Sequence, residues 1–187
     1  MSAVPGQTVG PFFHLGLEFP GMNELVPPGD PRAIRLHGRV YDGAGAPIPD
    51  AVLEIWQPDP RGHIVRQPGS LRRDGWSFTG WGRAGTDPDG HYQFTTLEPG
   101  PTEEGRAPFF AVTVFARGLL DRLFTRIYLP GDDELLAADT VLRSVAPERR
   151  GTLIATRDDD GLVFDVRLQG EDETVFLTYP RLRDAWA

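Results

Sequence analysis

The chain reads as an all-β sandwich with an extended N-terminal arm and few short helices. Three observations point there. Its 22 glycines and 18 prolines punctuate short apolar runs rather than long helical ones. Several of those runs alternate apolar and polar with period two, the pattern of a half-buried strand. Residues 1–31 differ from the rest, being dense in Gly and Pro with no sustained period. The division expected is therefore an arm over 1–31 and a sandwich over 32–187.

The elements follow in order. From Ile34 to Tyr41, Ile34, Leu36, Gly38 and Val40 alternate with Arg35, His37, Arg39 and Tyr41. A Gly- and Pro-bearing turn over 42–47 separates this strand from Val52–Trp56. Strands at Trp81–Thr86 and Tyr92–Thr96 flank Asp87-Pro88-Asp89-Gly90, a hairpin signal in which Pro presets φ and Gly accepts a positive φ. Further strands are expected at Phe109–Ala116, Leu123–Tyr128, Thr152–Thr156, Leu162–Leu168 and Thr174–Phe176, with Asp158 to Gly161 turning a hairpin. Asp133–Ala138 suits a short helix, its acids favouring the positive end of the dipole. The arm carries Val9, Phe12, Phe13, Leu15, Leu17 and Phe19, too apolar for a free tail, and is expected to pack on a partner subunit.

Composition narrows the function classes. A length of 187 residues suits one domain with a sizeable core. No apolar run reaches the length of a membrane span, and the first residues lack the basic and apolar regions of a secretory signal. Cysteine is absent, so disulfides, thiol nucleophiles and thiolate metal sites are excluded, which fits the cytoplasm. A net charge of -8 argues against nucleic acid as a partner.

Taken alone, the residues show no strong catalytic constellation. No Gly-x-Ser-x-Gly, His-x-His, His-Glu-x-x-His or Walker-type loop occurs. The imidazoles are His14, His37, His63 and His91. His37 faces outward on its strand, His91 follows a turn, and His63 beside Asp59 lies in a solvated loop. The acidic run Asp158–Asp160 lacks the spaced oxygens of a dedicated calcium loop.

Five segments occur in an order that carries more. They are Gly38-Arg39-Val40-Tyr41-Asp42, Leu53-Glu54-Ile55-Trp56-Gln57, Gly85-Thr86-Asp87-Pro88-Asp89-Gly90-His91-Tyr92-Gln93-Phe94, Pro99-Gly100-Pro101, and Phe109 to Phe115. Phe124 to Leu129 and Phe164 to Gly170 complete the series. In this order the chain resembles the intradiol ring-cleavage dioxygenases from about Gln7 to Phe176. The resemblance implies a prealbumin-like sandwich. In that family two tyrosines and two histidines hold a ferric ion. Matching the motifs puts the four ligand positions at Ile64, Thr102, Phe109 and Ala111, none of which suits a hard ferric ion. The resemblance therefore implies no metal on this chain and no catalytic residue of its own.

Some members of the family pair an iron-holding beta chain with a homologous chain that has lost its ligands, and the likeness is to the latter, alpha-type chain. Gln7-Thr8-Val9-Gly10-Pro11-Phe12-Phe13-His14, Phe115-Ala116-Arg117-Gly118 and Gln169 to Phe176 carry it. Phe12 departs from the tyrosine frequent in the family. The resemblance implies that Thr8, Gly10, Pro11, Phe12 and Arg117 wall the substrate pocket of the beta chain at the subunit interface. It implies a symmetric assembly of alpha–beta heterodimers. Their Fe(III), in the beta subunit, would support cleavage of 3,4-dihydroxybenzoate by O2 to 3-carboxy-cis,cis-muconate. Two other readings stand beside it: a non-catalytic prealbumin-like binding module, and a hydrolase using a His/Asp pair.

Overall fold

The computed structural model describes residues 7–27, 29–65, 74 and 76–179. Two sheets face each other. The first holds β1 (Ile34–Tyr41), β4 (His91–Thr96), β7 (Thr156–Asp158), β8 (Gly161–Val163) and β9 (Val166–Arg167), and the second holds β2 (Val52–Trp56), β3 (Trp81–Gly85), β5 (Phe109–Phe115) and β6 (Leu123–Tyr128). In the first, β4-β1-β8-β7 are neighbours in that order and β9 pairs with β1; in the second the order is β3-β2-β5-β6. Alternation explains the core. Leu36 and Val40 of β1, Tyr92 and Phe94 of β4, Leu53 and Ile55 of β2, and Phe110, Val112 and Val114 of β5 all point inward and are buried.

Strands β1, β2 and β6 and helix α1 (Asp133–Ala138) run over the residues expected, and β3, β4 and β5 lie within one residue of it. Helix α1 starts where the Asp132 carboxylate accepts from the Leu135 amide. A second helix, α2 (Thr140–Ser144), was not foreseen; Asp139 caps it, accepting from the amides of Val141 and Leu142. Both are short, which fits an all-β chain.

Four expectations need correction. The turn at Asp87–Gly90 closes locally, with the Gly90 amide donating to Asp87, but β3 and β4 enter different sheets and form no hairpin. Each strand finds a better partner: β3 pairs with β2 from Val52↔Gly85 to Trp56↔Trp81, and β4 with β1 from Ile34↔Thr96 to Arg39↔His91. The expected strand at Thr152–Thr156 is instead a 3₁₀ turn over Pro147–Leu153, leading into β7. Pro147 at its first position favours that turn. The expected strand at Leu162–Leu168 is split at Phe164–Asp165. A Cβ on Gly38 would lie 1.9 Å from the Phe164 carbonyl oxygen, so chain and strand touch backbone to backbone there. The Asp165 carboxylate accepts from the Arg39 amide and takes over the missing ladder bond. Thr174–Phe176 forms no strand; Leu177 alone bridges to Phe124.

The arm lies across the open edges of both sheets. The Arg83 amide of β3 donates to the Met22 carbonyl, while the Leu25 amide donates to Thr95 of β4 and the Thr95 amide to Asn23. Leu25 is buried in the core. A side-chain bond from Arg83 to the Leu17 carbonyl adds a further stitch. Edges that would otherwise offer unpaired amides are thereby covered. No described helix is long and apolar enough to cross a membrane.

Candidate functional site

Two places are candidates for function: the four positions that the resemblance matches to metal ligands, and the turn where the arm meets the β5–β6 connection.

The loops that carry the first two ligand positions are knitted together. The Asp59 carboxylate accepts from the amides of Arg61 and His63, and the Gly100 amide donates to the Asp59 carbonyl. A Cβ at Gly62 would meet the Pro101 carbonyl at 1.9 Å, and one at Gly100 would meet Pro60 at 2.4 Å. Behind them the buried Gln57 bonds the Leu97 carbonyl and the Thr96 hydroxyl. The side chains so positioned offer little to a metal. Ile64 is 66% exposed and Thr102 is exposed.

The other two positions lie on β5. Phe109 faces Tyr128 of β6, and Ala111 faces Arg126. The Arg126 guanidinium lies 3.9 Å above the Phe109 ring and donates to the Tyr128 hydroxyl at 3.1 Å. That hydroxyl donates in turn to the Asp139 carboxylate at 2.9 Å. Beside them a cleft of about 220 Å³ is lined by Thr102, Arg106, Phe109, Arg126 and Asp139, among others. A ferric ion requires anionic and imidazole donors. Here the four positions supply an aliphatic chain, a neutral hydroxyl, a phenyl ring and a methyl, and a fixed cation stacks on the ring. The residues do not fit the metal.

The second place gathers Thr8, Gly10, Pro11, Phe12 and Arg117. Gly10 to Phe13 is a turn, closed by the Phe13 amide on the Gly10 carbonyl, with Pro11 where its fixed φ suits. Phe13 packs on Phe115 of β5 with ring centroids 5.6 Å apart. Phe12, beside it, turns outward and is 74% exposed. Nothing within 4 Å would meet a Cβ on Gly10, so the space beside that backbone is open. A second turn follows β5. The Leu119 amide donates to Ala116, and Gly118 takes φ 87°. The two turns are joined by one bond, the Gly118 amide donating to Thr8 Oγ1 at 2.8 Å. Arg117 thus stands at a turn tip tied to the arm.

Two partners escaped sequence reasoning. Arg126 could have been found only by counting across the β5–β6 register from Ala111. Asp50 is the other. Its carboxylate pairs with Arg117 Nε, the aspartate side chain being 6% exposed and the arginine's 53%. Of the histidines, His63 pairs with Asp59 at 3.3 Å within the exposed loop that carries Ile64, and His37 pairs with Asp158 at 3.1 Å beside the β7–β8 turn.

Comparison with known proteins identifies the family. A family model described as dioxygenase matches residues 21–170. The alpha chain of protocatechuate 3,4-dioxygenase from Burkholderia cepacia is 38% identical, covering 94% of this chain and 97% of its own length. The beta chain from the same organism is 32% identical, covering 78% of this chain and 69% of its own. Among solved structures, the dioxygenase domain of a dioxygenase and carbohydrate-binding fusion from Streptomyces sp. SirexAA-E superposes with a TM-score of 0.59 at 26% identity. That match covers 89% of this chain and 97% of the other. A sandwich built on these segments, in this order and with relatives this similar, makes the chain a member of the intradiol ring-cleavage dioxygenase family.

Proposed function

We propose that this chain is the iron-free alpha-type subunit of a cytoplasmic protocatechuate 3,4-dioxygenase. A homologous beta subunit holds Fe(III), and the pair, repeated in a symmetric assembly, cleaves 3,4-dihydroxybenzoate between its hydroxylated carbons with O2 to give 3-carboxy-cis,cis-muconate. The iron supplies the redox chemistry; this chain supplies shape, charge and assembly.

One observation carries the reading. On a chain whose four matched positions do not suit a ferric ion, the Thr8–Gly118 bond sets the arm turn and the Arg117 turn side by side, facing outward. Phe12 and Leu15 of the arm and Leu120 of the adjoining loop are large, apolar and exposed, which suits a surface completed by another chain. Pro11 and Phe12 make a rigid apolar wall, and Gly10 lets a neighbour approach its backbone closely. Arg117 brings a planar cation that forks onto a carboxylate, the group that distinguishes this substrate from a plain catechol.

The test is metal analysis with a visible spectrum, on this chain alone and after co-expression with the beta chain. The expected result is a colourless, iron-free single chain that enters a coloured, iron-containing complex active on protocatechuate. Stoichiometric iron with a tyrosinate-to-iron band on the isolated chain would overturn the reading.

A further inference from the structure

We infer that Asp50 is a positioning residue for substrate recognition. It holds the Arg117 guanidinium by its Nε, so that the outer nitrogens are turned toward the carboxylate of the substrate. The inference rests on the reading of Arg117 as part of the pocket wall.

The strands themselves bring the pair together. In the β2–β5 ladder Val52 lies opposite Phe115. Continued two residues outward, the same antiparallel register sets Asp50 opposite Arg117. The intervening pair, Ala51 and Ala116, is small and buried, which lets the two strand ends stay close. The Thr86 hydroxyl pins this end of β2, accepting from the Ala51 amide at 2.9 Å and donating to the Ile48 carbonyl at 2.7 Å. The aspartate backbone is therefore fixed before its side chain does anything.

The side chains then divide the work unequally. Asp50 is buried, and its second oxygen, Oδ1, has no hydrogen-bond partner. A buried carboxylate with an orphaned oxygen is costly unless a cation compensates it. Arg117 is that cation, and it is bound through Nε rather than through its terminal fork. A guanidinium gripped at Nε keeps both terminal nitrogens for a second carboxylate. The Gly118 amide, bonded to Thr8, fixes the turn from the other side. A freely rotating arginine would have to be ordered by the substrate; this one is ordered beforehand.

The experiment uses the assembled alpha–beta complex. The variants are Asp50→Asn, Arg117→Ala and the double variant, each checked for assembly and iron content. The readings are kcat and KM for 3,4-dihydroxybenzoate and the inhibition constant of its uncharged amide. Asp50→Asn is expected to raise KM about tenfold with a smaller change in kcat. It should shift the amide's constant far less, and add nothing further to Arg117→Ala. An Arg117→Ala effect without an Asp50→Asn effect overturns the positioning role and leaves the pocket reading standing. Unchanged KM in Arg117→Ala removes Arg117 from the pocket, and the inference falls with that reading. Should Asp50→Asn not assemble, Arg117→Lys decides. Lysine keeps the charge but cannot be held at Nε and still present a fork, so its KM should rise as in Arg117→Ala. A parental KM in Arg117→Lys overturns the inference.

Discussion

The phenol of Tyr128 sits between a guanidinium and a carboxylate, accepting from Arg126 and donating to Asp139. Burial pushes its pKa up to about 12, with Arg126 drawing it back and Asp139 reinforcing the rise. An unfolded tyrosine titrates near 10. The folded chain thus keeps a proton that the unfolded chain has already released. The resulting stabilisation is complete below about pH 10 and is lost as the pH climbs toward about 12. Tyr128→Phe should cost about 1–2 kcal/mol near neutral pH, where the hydrogen bonds are intact. Urea titrations at rising pH should show parent and variant converging above about pH 10. A constant difference would mean that the phenol does not couple to folding. The resemblance could assign ligand positions in the sequence because each is a single residue at a countable distance from a motif. Arg126 and Asp50 were not, because each matters only through the residue across the ladder, and pairing register is a property of two strands.

The seam between β1 and the β8–β9 stretch shows what an element costs when two backbones touch. The Phe164 amide donates to His37, the Phe164 carbonyl accepts from the buried Tyr92 hydroxyl at 2.6 Å, and Asp165 accepts from the Arg39 amide. Gly38 is where β1 makes room for this crossing. Gly38→Ala should cost several kcal/mol, on the scale of an overpacked core, because the obstacle is backbone and cannot rotate away. A urea midpoint unchanged from the parent would refute the close approach. The alternation from Ile34 to Tyr41 revealed β1, but one continuous strand was expected at Leu162–Leu168. A carbonyl that breaks off to meet a distant glycine leaves no mark on local periodicity. The turn at Asp87–Gly90 carried the same ambiguity: its chemistry fixes a reversal, while the sheet each arm joins is decided by β1 and β2.

At the scale of the molecule, the arm is part of the sandwich before it is part of any interface. It crosses the edges of β3 and β4 and lowers Leu25 into the core. Deleting residues 1–25 should therefore do more than weaken a complex. It would uncover two strand edges and the seat of Leu25, and the truncated chain should elute as large aggregates in size-exclusion chromatography. A monodisperse truncated monomer would show that the edges need no cover. The apolar content of the arm led to the expectation that it docks on a partner, whereas its crossing of the chain's own sheet edges could not be read from composition.

The bond between Thr8 and Gly118 gives the arm a second anchor, far along the chain from the stitches at Leu17, Met22 and Leu25. The stretch between them, with Phe12 at its outer side, is consequently a closed loop rather than a tail. A tail must surrender its freedom when it docks, and that loss subtracts from affinity; a loop closed at both ends surrendered it on folding. Recognition by this subunit is in that sense already half completed inside the monomer, and a partner meets a surface whose shape was settled before the two chains collided.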